Sequence, residues 1–179
     1  PTAFWGAIKA GIVPIAINTL LTTEHYEYIL RDSRIKALIV DKELYNALQP
    51  LFKKVPSLRY IIVNELDSSE ALILESLINS ESEQFDVVKT LPDDEAFWLY
   101  SSGSTGFPKG VKHVHKNLVC VAETYAKHIL NIQEQDTVYS VAKLFFAYGL
   151  GNGMIFPFSV GATSILFDGR PVPESIINI

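Results

Sequence analysis

Residues Tyr100 to Val111 read Tyr-Ser-Ser-Gly-Ser-Thr-Gly-Phe-Pro-Lys-Gly-Val, and no other stretch of the chain packs small, hydroxyl-bearing and cationic groups so tightly. The chemistry this permits is the holding of a polyphosphate. Gly103, Gly106 and Gly110 lack a Cβ, so the main chain there can approach a ligand and take φ values that other residues resist. Ser101, Ser102, Ser104 and Thr105 add hydroxyl donors, successive backbone N–H groups in such a bend can form an anion-binding nest, and Lys109 brings a full positive charge. Pro108 fixes its own φ and biases Phe107 toward extended backbone, so the lysine leaves a stiffened loop. A Walker A loop is excluded, because Pro108 stands where that motif needs its second glycine and Gly110 follows the lysine. A flexible Gly/Ser linker is disfavoured by the flanks. Ala96 to Tyr100 is an aromatic-rich apolar run fit for a buried strand, and Gly110 to His115 alternates behind it.

The run Ser101 to Gly110 resembles the phosphate-loop signature of the adenylate-forming superfamily, which includes acyl- and aryl-CoA synthetases, peptide-synthetase adenylation domains and luciferases. Phe97-Trp98-Leu99-Tyr100 together with Lys143-Leu144-Phe145-Phe146-Ala147-Tyr148-Gly149-Leu150-Gly151-Asn152 is most similar to the benzoate-CoA ligase branch. That resemblance implies ATP-dependent joining of a carboxylate to the α-phosphate, with pyrophosphate leaving, then transfer of the acyl group to coenzyme A. It implies nucleotide contacts from Ser101, Ser102, Gly103, Ser104, Thr105, Gly106 and Lys109, with Thr105 and Lys109 also catalytic, and an aromatic acid against Phe146, Ala147, Tyr148 and Gly149. Read from the residues alone, those aromatic side chains fit a core as readily as a pocket. Magnesium is expected with ATP, its ligands lying elsewhere. No metal site is expected in these residues. Nothing here resembles the superfamily's later motifs, so the chain is expected to be an internal piece of the large N-terminal domain and inactive by itself. Partners are then the acid, coenzyme A and the rest of the same polypeptide. Two alternatives stay open: a synthetase for fatty or other acids, since a phosphate loop does not choose the acyl group, and a nucleotide-binding module without catalysis.

The elements that must position these residues alternate. Phe4, Trp5, Ala7, Ile8 and Ala10 make an apolar helical face ending at Gly11, with a strand at Val13 to Ile17. Thr22 or Thr23 can cap a helix burying Tyr26, Ile29 and Leu30, and Ala37 to Val40 is a continuous apolar strand. Asp41 caps a helix carrying Leu44, Leu48 and Leu51, limited by Pro50, and Tyr60 to Val63 is the next strand. Glu65 to Glu95 is acidic and serine-rich around one helix, Ser69 to Asn79. Beyond the loop, Asn117 to Leu130 reads as helix and Thr137 to Val141 as strand. Ala147 to Phe158 is a helical segment broken near Pro157, and Ala162 to Phe167 a strand. This predicts an α/β fold, layered α/β/α around a mostly parallel sheet, as two consecutive subdomains over residues 1–92 and 93–179.

With 179 residues and 48% hydrophobic content the chain can bury a core. Its net charge of −5 disfavours a broad nucleic-acid surface. Yet Ala96 to Ala122 contains no Asp or Glu and does contain Lys109, Lys112 and Lys116, which predicts a local anion site. No apolar run reaches the ~18 residues of a membrane span, and a cytoplasmic setting is expected. The lone cysteine, Cys120, is expected to be packed, Lys143 to be a solvated strand-end lysine, and His25 an ordinary surface or half-buried residue. His113 and His115 are expected on one face of a strand, too few for a metal site.

Overall fold

A computed structural model describes residues 1–64, 71–101 and 106–177. It is a mixed α/β fold in which, among the described residues, four strand pairings are parallel in defined register. Contacts gather the chain into two compact units. One holds residues 1–18, 87–99 and 111–179, the other residues 19–86 and 100–110. Both are discontinuous in sequence.

The first unit opens with helix α1 (Thr2–Lys9), which stops at Gly11 with φ +68°. A Cβ there would meet Val88 Cγ1 at 3.0 Å, so both conformation and space favour glycine. Strand β1 (Ile15–Ala16) follows and pairs with Trp98 and Leu99 of β5 (Glu95–Ser101).

The second unit begins at helix α2 (Thr23–Asp32), capped by Thr22, whose hydroxyl accepts from the His25 amide at 3.4 Å. Its apolar stripe, Tyr26, Ile29 and Leu30, is buried as the spacing requires. Strand β2 (Ala37–Asp41) leads to helix α3 (Lys42–Phe52), where Asp41 Oδ1 accepts from the Leu44 amide at 2.7 Å. Tyr45, Leu48 and Leu51 form its buried face, and Pro50 sits inside the last turn, so the helix runs two residues past it. Strand β3 (Tyr60–Asn64) lies between β2 and β4 (Leu72–Ile73), with Val40 opposite Val63 and Val63 opposite Ile73. The helix expected from Ser69 starts only at Leu74, as α4 (Leu74–Ser80), because Leu72 and Ile73 pair with β3 instead. An apolar pair beside an open strand edge is drawn to it whatever its local preference. Glu65 to Glu70 lie outside the described residues.

Back in the first unit, β5 stands between β1 and β6 (Lys109–Val114). Helix α5 (His115–Val121) continues as π-helical backbone over Ala122–Leu130 and ends at Asn131 in the left-handed region. Strand β7 (Thr137–Tyr139) pairs with β8 (Thr163–Ile165). Between them runs one helical stretch: α6 (Ala147–Leu150), a π segment (Gly151–Ile155) and α7 (Phe156–Val160). The break expected near Pro157 does not occur. Pro157 lies inside the stretch, where the Gly153 carbonyl four residues before it accepts from the Ser164 hydroxyl at 2.5 Å in place of the missing N–H, and the stretch ends instead at Gly161 with φ +78°. A short helix, α8 (Pro173–Ile177), closes the described chain. Ala96, Phe97, Leu99, Ala126, Leu150, Met154, Ile155 and Phe156 form this unit's core.

Candidate functional site

The two arms of the glycine-and-hydroxyl loop belong to the second unit. Ser101 ends β5 and is exposed; Lys109 opens β6 and is exposed as well. Gly106 has φ +99° with open space where a Cβ would stand, so the backbone conformation alone selects glycine. Phe107 lays its ring on Tyr28, centroids 4.8 Å apart, and meets His25 edge-on at 6.0 Å, while Pro108 beside it is buried. At Gly110 a Cβ would come within 3.2 Å of the Tyr100 ring. Tyr100 in turn donates to Asp32 Oδ2 at 2.6 Å, and burial, reinforced by that carboxylate, pushes its phenol well above the usual range. The loop therefore leaves and rejoins fixed points. Ser102, Gly103, Ser104 and Thr105 lie outside the described residues.

The cationic patch expected over Ala96 to Ala122 is narrower than its lysine count. Lys112 Nζ lies 2.7 Å from Glu95 Oε1 and 4.9 Å from the Trp98 ring centroid, and Trp98 Nε1 donates to Glu95 Oε2 at 2.9 Å. These two hydrogen bonds hold the Glu95 carboxyl below its ordinary range. Lys116 is paired with Asp93. Acidic residues just upstream of the acid-free stretch thus fold onto two of its lysines. Among the described residues no carboxylate partners Lys109.

The histidines separate. His113 stacks on Phe97, 4.5 Å between centroids and 5° between planes, and burial lowers its pKa. His115 is the first residue of α5, not a strand residue, so the two do not share a strand face. Among the described residues no three His, Cys, Asp or Glu side chains converge to hold a metal. Cys120 is exposed, contrary to the packed thiol expected, because it lies on the outward side of α5.

The aromatic segment stands at the start of α6. Phe146 is 49% and Tyr148 73% exposed, so neither is a core side chain in this unit, and Ala147 is exposed too. Gly149 is buried, and a Cβ there would lie 2.1 Å from the Lys143 carbonyl oxygen. No side chain fits that position. Tyr148 joins Tyr139, Ser140, Val141 and Asn152 in lining an open cleft of about 540 Å³. The lining by Tyr139 and Ser140 escaped the sequence reading, for nothing marks a residue at a strand's C-terminal end except the strand's length.

A second cleft, about 490 Å³, lies in the other unit against Glu24, Glu27, Tyr28, Arg31, Asp32 and Phe107. Three carboxylates against one guanidinium make it a poor seat for polyphosphate.

A family model described as AMP-binding enzyme matches residues 1–178. The chain belongs to the AMP-binding enzyme family. Within it, this AMP-binding chain is 53% identical over 176 residues to a benzoate-CoA ligase of Thauera aromatica, covering 98% of the chain and 33% of that protein. It is 44% identical over 178 residues to a 4-hydroxybenzoate-CoA/benzoate-CoA ligase of Rhodopseudomonas palustris, covering 99% of the chain and 33% of the relative. Among solved structures it resembles an anthranilate CoA ligase in complex with anthranoyl-AMP, with TM-score 0.94 and 36% identity over 98% of this chain and 34% of that one. A benzoate CoA ligase from Burkholderia xenovorans LB400 matches with TM-score 0.88 and 44% identity over 99% of this chain and 34% of that one. The AMP-binding chain therefore spans about a third of the length of the relatives it matches. Its parallel sheets are those of the N-terminal domain of adenylate-forming enzymes. No helix among the described residues is long and apolar enough to cross a membrane.

Proposed function

We propose that this chain is the phosphate-gripping part of an ATP-dependent ligase that converts benzoate or a related aromatic acid to its adenylate and then to the coenzyme A thioester. The observation that carries the reading is the contrast among the lysines: Lys112 and Lys116 are each matched to a carboxylate, while Lys109, at the exit of a bend fixed by Gly106 and Phe107, has none among the described residues. An ammonium so placed is available to an anion. As the bond to departing pyrophosphate breaks, charge gathers on the β- and γ-phosphates, where fixed ammonium, hydroxyl and N–H groups stabilise it more than in the ground state. In this reading Lys109 and Thr105 serve that step. Ser101, Ser102, Gly103, Ser104 and Gly106 supply the remaining donors and the close backbone approach. The exposed Phe146, Ala147 and Tyr148, with Gly149 beneath, offer a flat apolar wall to the acid ring.

Magnesium, as companion of ATP, is assigned to groups elsewhere in the longer polypeptide, as are the groups that receive coenzyme A. The division into subdomains at 92/93 and a cytoplasmic setting belong to the same reading. The test is pyrophosphate release by the full-length polypeptide with ATP and a panel of acids. Benzoate or a hydroxylated or amino-substituted benzoate is expected to be preferred, and preference for long aliphatic acids would replace the aromatic assignment. The 179 residues alone are expected to show no turnover.

A further inference from the structure

Lys143 was expected to be a solvated lysine, and its head group is fully engaged. Its Nζ donates to three successive backbone carbonyls, Phe167 at 2.6 Å, Asp168 at 2.9 Å and Gly169 at 2.8 Å. An ammonium has three N–H donors, and all three are used. Three carbonyl dipoles aimed at one point repel one another, so the bend at 167–169 needs a cation at its focus. The Phe167 ring closes over the site, 5.6 Å from the ammonium, and a Cβ on Gly169 would fall 2.4 Å from that ring. The knot is compact.

What it ties together gives it a use. β7 and β8 are adjacent parallel strands, Lys143 lies on the segment leaving the C-terminal end of β7, and 167–169 on the one leaving the C-terminal end of β8. In parallel sheets ligands sit outside these carboxyl ends. The backbone carbonyl of Lys143 also abuts Gly149, and the Phe146 amide donates to it at 3.1 Å. The residue is thus bound at its head to one loop and at its carbonyl to the Phe146 amide, with Gly149 packed close against the same carbonyl.

We propose that Lys143 is a positioning residue for the acid pocket, fixing Phe146 and Tyr148 by bolting their segment to the loop after β8. It touches neither acid nor nucleotide. The proposal rests on the reading of Phe146–Gly149 as the acid wall, and the test separates the two. In the full-length ligase, K143M keeps the stem and removes the donors. The KM for benzoate should rise about tenfold, as loss of alignment does, while the KM for ATP stays within about twofold. K143R should recover part of the loss, leaving the acid KM raised about threefold over wild type, since its planar fork meets some but not all of the carbonyls. Should K143M fail to fold, K143R carries the test by the same split, a benzoate KM raised about threefold against an unmoved ATP KM. A benzoate KM unchanged in the folded variant, or benzoate and ATP constants rising together, overturns the role of Lys143. Wild-type enzyme that turns over no aromatic acid overturns the acid-wall reading instead, and that result precedes any variant.

Discussion

The Tyr100 hydroxyl donates to Asp32 Oδ2 at 2.6 Å, and the ring that carries it lies 3.2 Å from where a Cβ on Gly110 would stand. One tyrosine thereby ties the entry of the loop to Asp32 and crowds any side chain at position 110, where the chain returns. Y100F should cost about 1 kcal/mol, the net worth of one hydrogen bond, read from urea midpoints. G110A should cost more than Y100F, because its methyl must displace a half-buried ring. If G110A proves neutral, the close approach has no energetic weight.

Gly106 has φ +99° and nothing within 4 Å of a built Cβ, so G106A tests conformation without crowding. Strain of about 1–3 kcal/mol is expected from an L residue held there, or the loop relaxes and the grip loosens. The expected reading in the full-length enzyme is a higher KM for ATP with an unchanged KM for benzoate.

Lys109 is exposed and lacks a carboxylate partner among the described residues, so K109A should leave stability within about 0.5 kcal/mol. Pyrophosphate release by the full-length enzyme should nonetheless fall about 10² to 10³-fold, the usual loss for one transition-state donor. Unchanged kinetics would remove Lys109 from the phosphate grip.

Burial holds the pKa of His113 below its ordinary value of about 6.5, so the folded chain takes up a proton less readily than the unfolded one. Stability from this group is complete above about pH 6.5 and is lost as pH falls toward the folded-state pKa. Urea midpoints measured from pH 8 to pH 5 should therefore decline, and H113F, which keeps an aromatic ring against Phe97, should remove that part of the decline. Glu95, held low by Lys112 and Trp98, acts only below about pH 4.5, and its exposed position makes the contribution small and salt-sensitive.

Elements with a strong period were legible in the sequence: Tyr26, Ile29 and Leu30 on α2, and the capping Asp41, stand as the spacing required. What escaped it was set by partners distant in sequence. Leu72 and Ile73 became strand because β3 offered an edge, and Pro157 was absorbed because the Gly153 carbonyl it leaves without an amide accepts from Ser164. At the site, residue type did not foretell the pairing of Lys112 and Lys116 with Glu95 and Asp93, nor the engagement of Lys143 with carbonyls 24 to 26 residues away. Charge is read from composition, whereas its neutralisation is decided by geometry.

The triad of Trp98, Glu95 and Lys112 places an indole under an ammonium, with its N–H held by a carboxylate, on the strand that runs into the loop. Because indole emission responds to nearby charge, that strand carries its own optical gauge. The only other tryptophan, Trp5, can be replaced by phenylalanine, leaving a single fluorophore to follow loop occupancy without any attached dye.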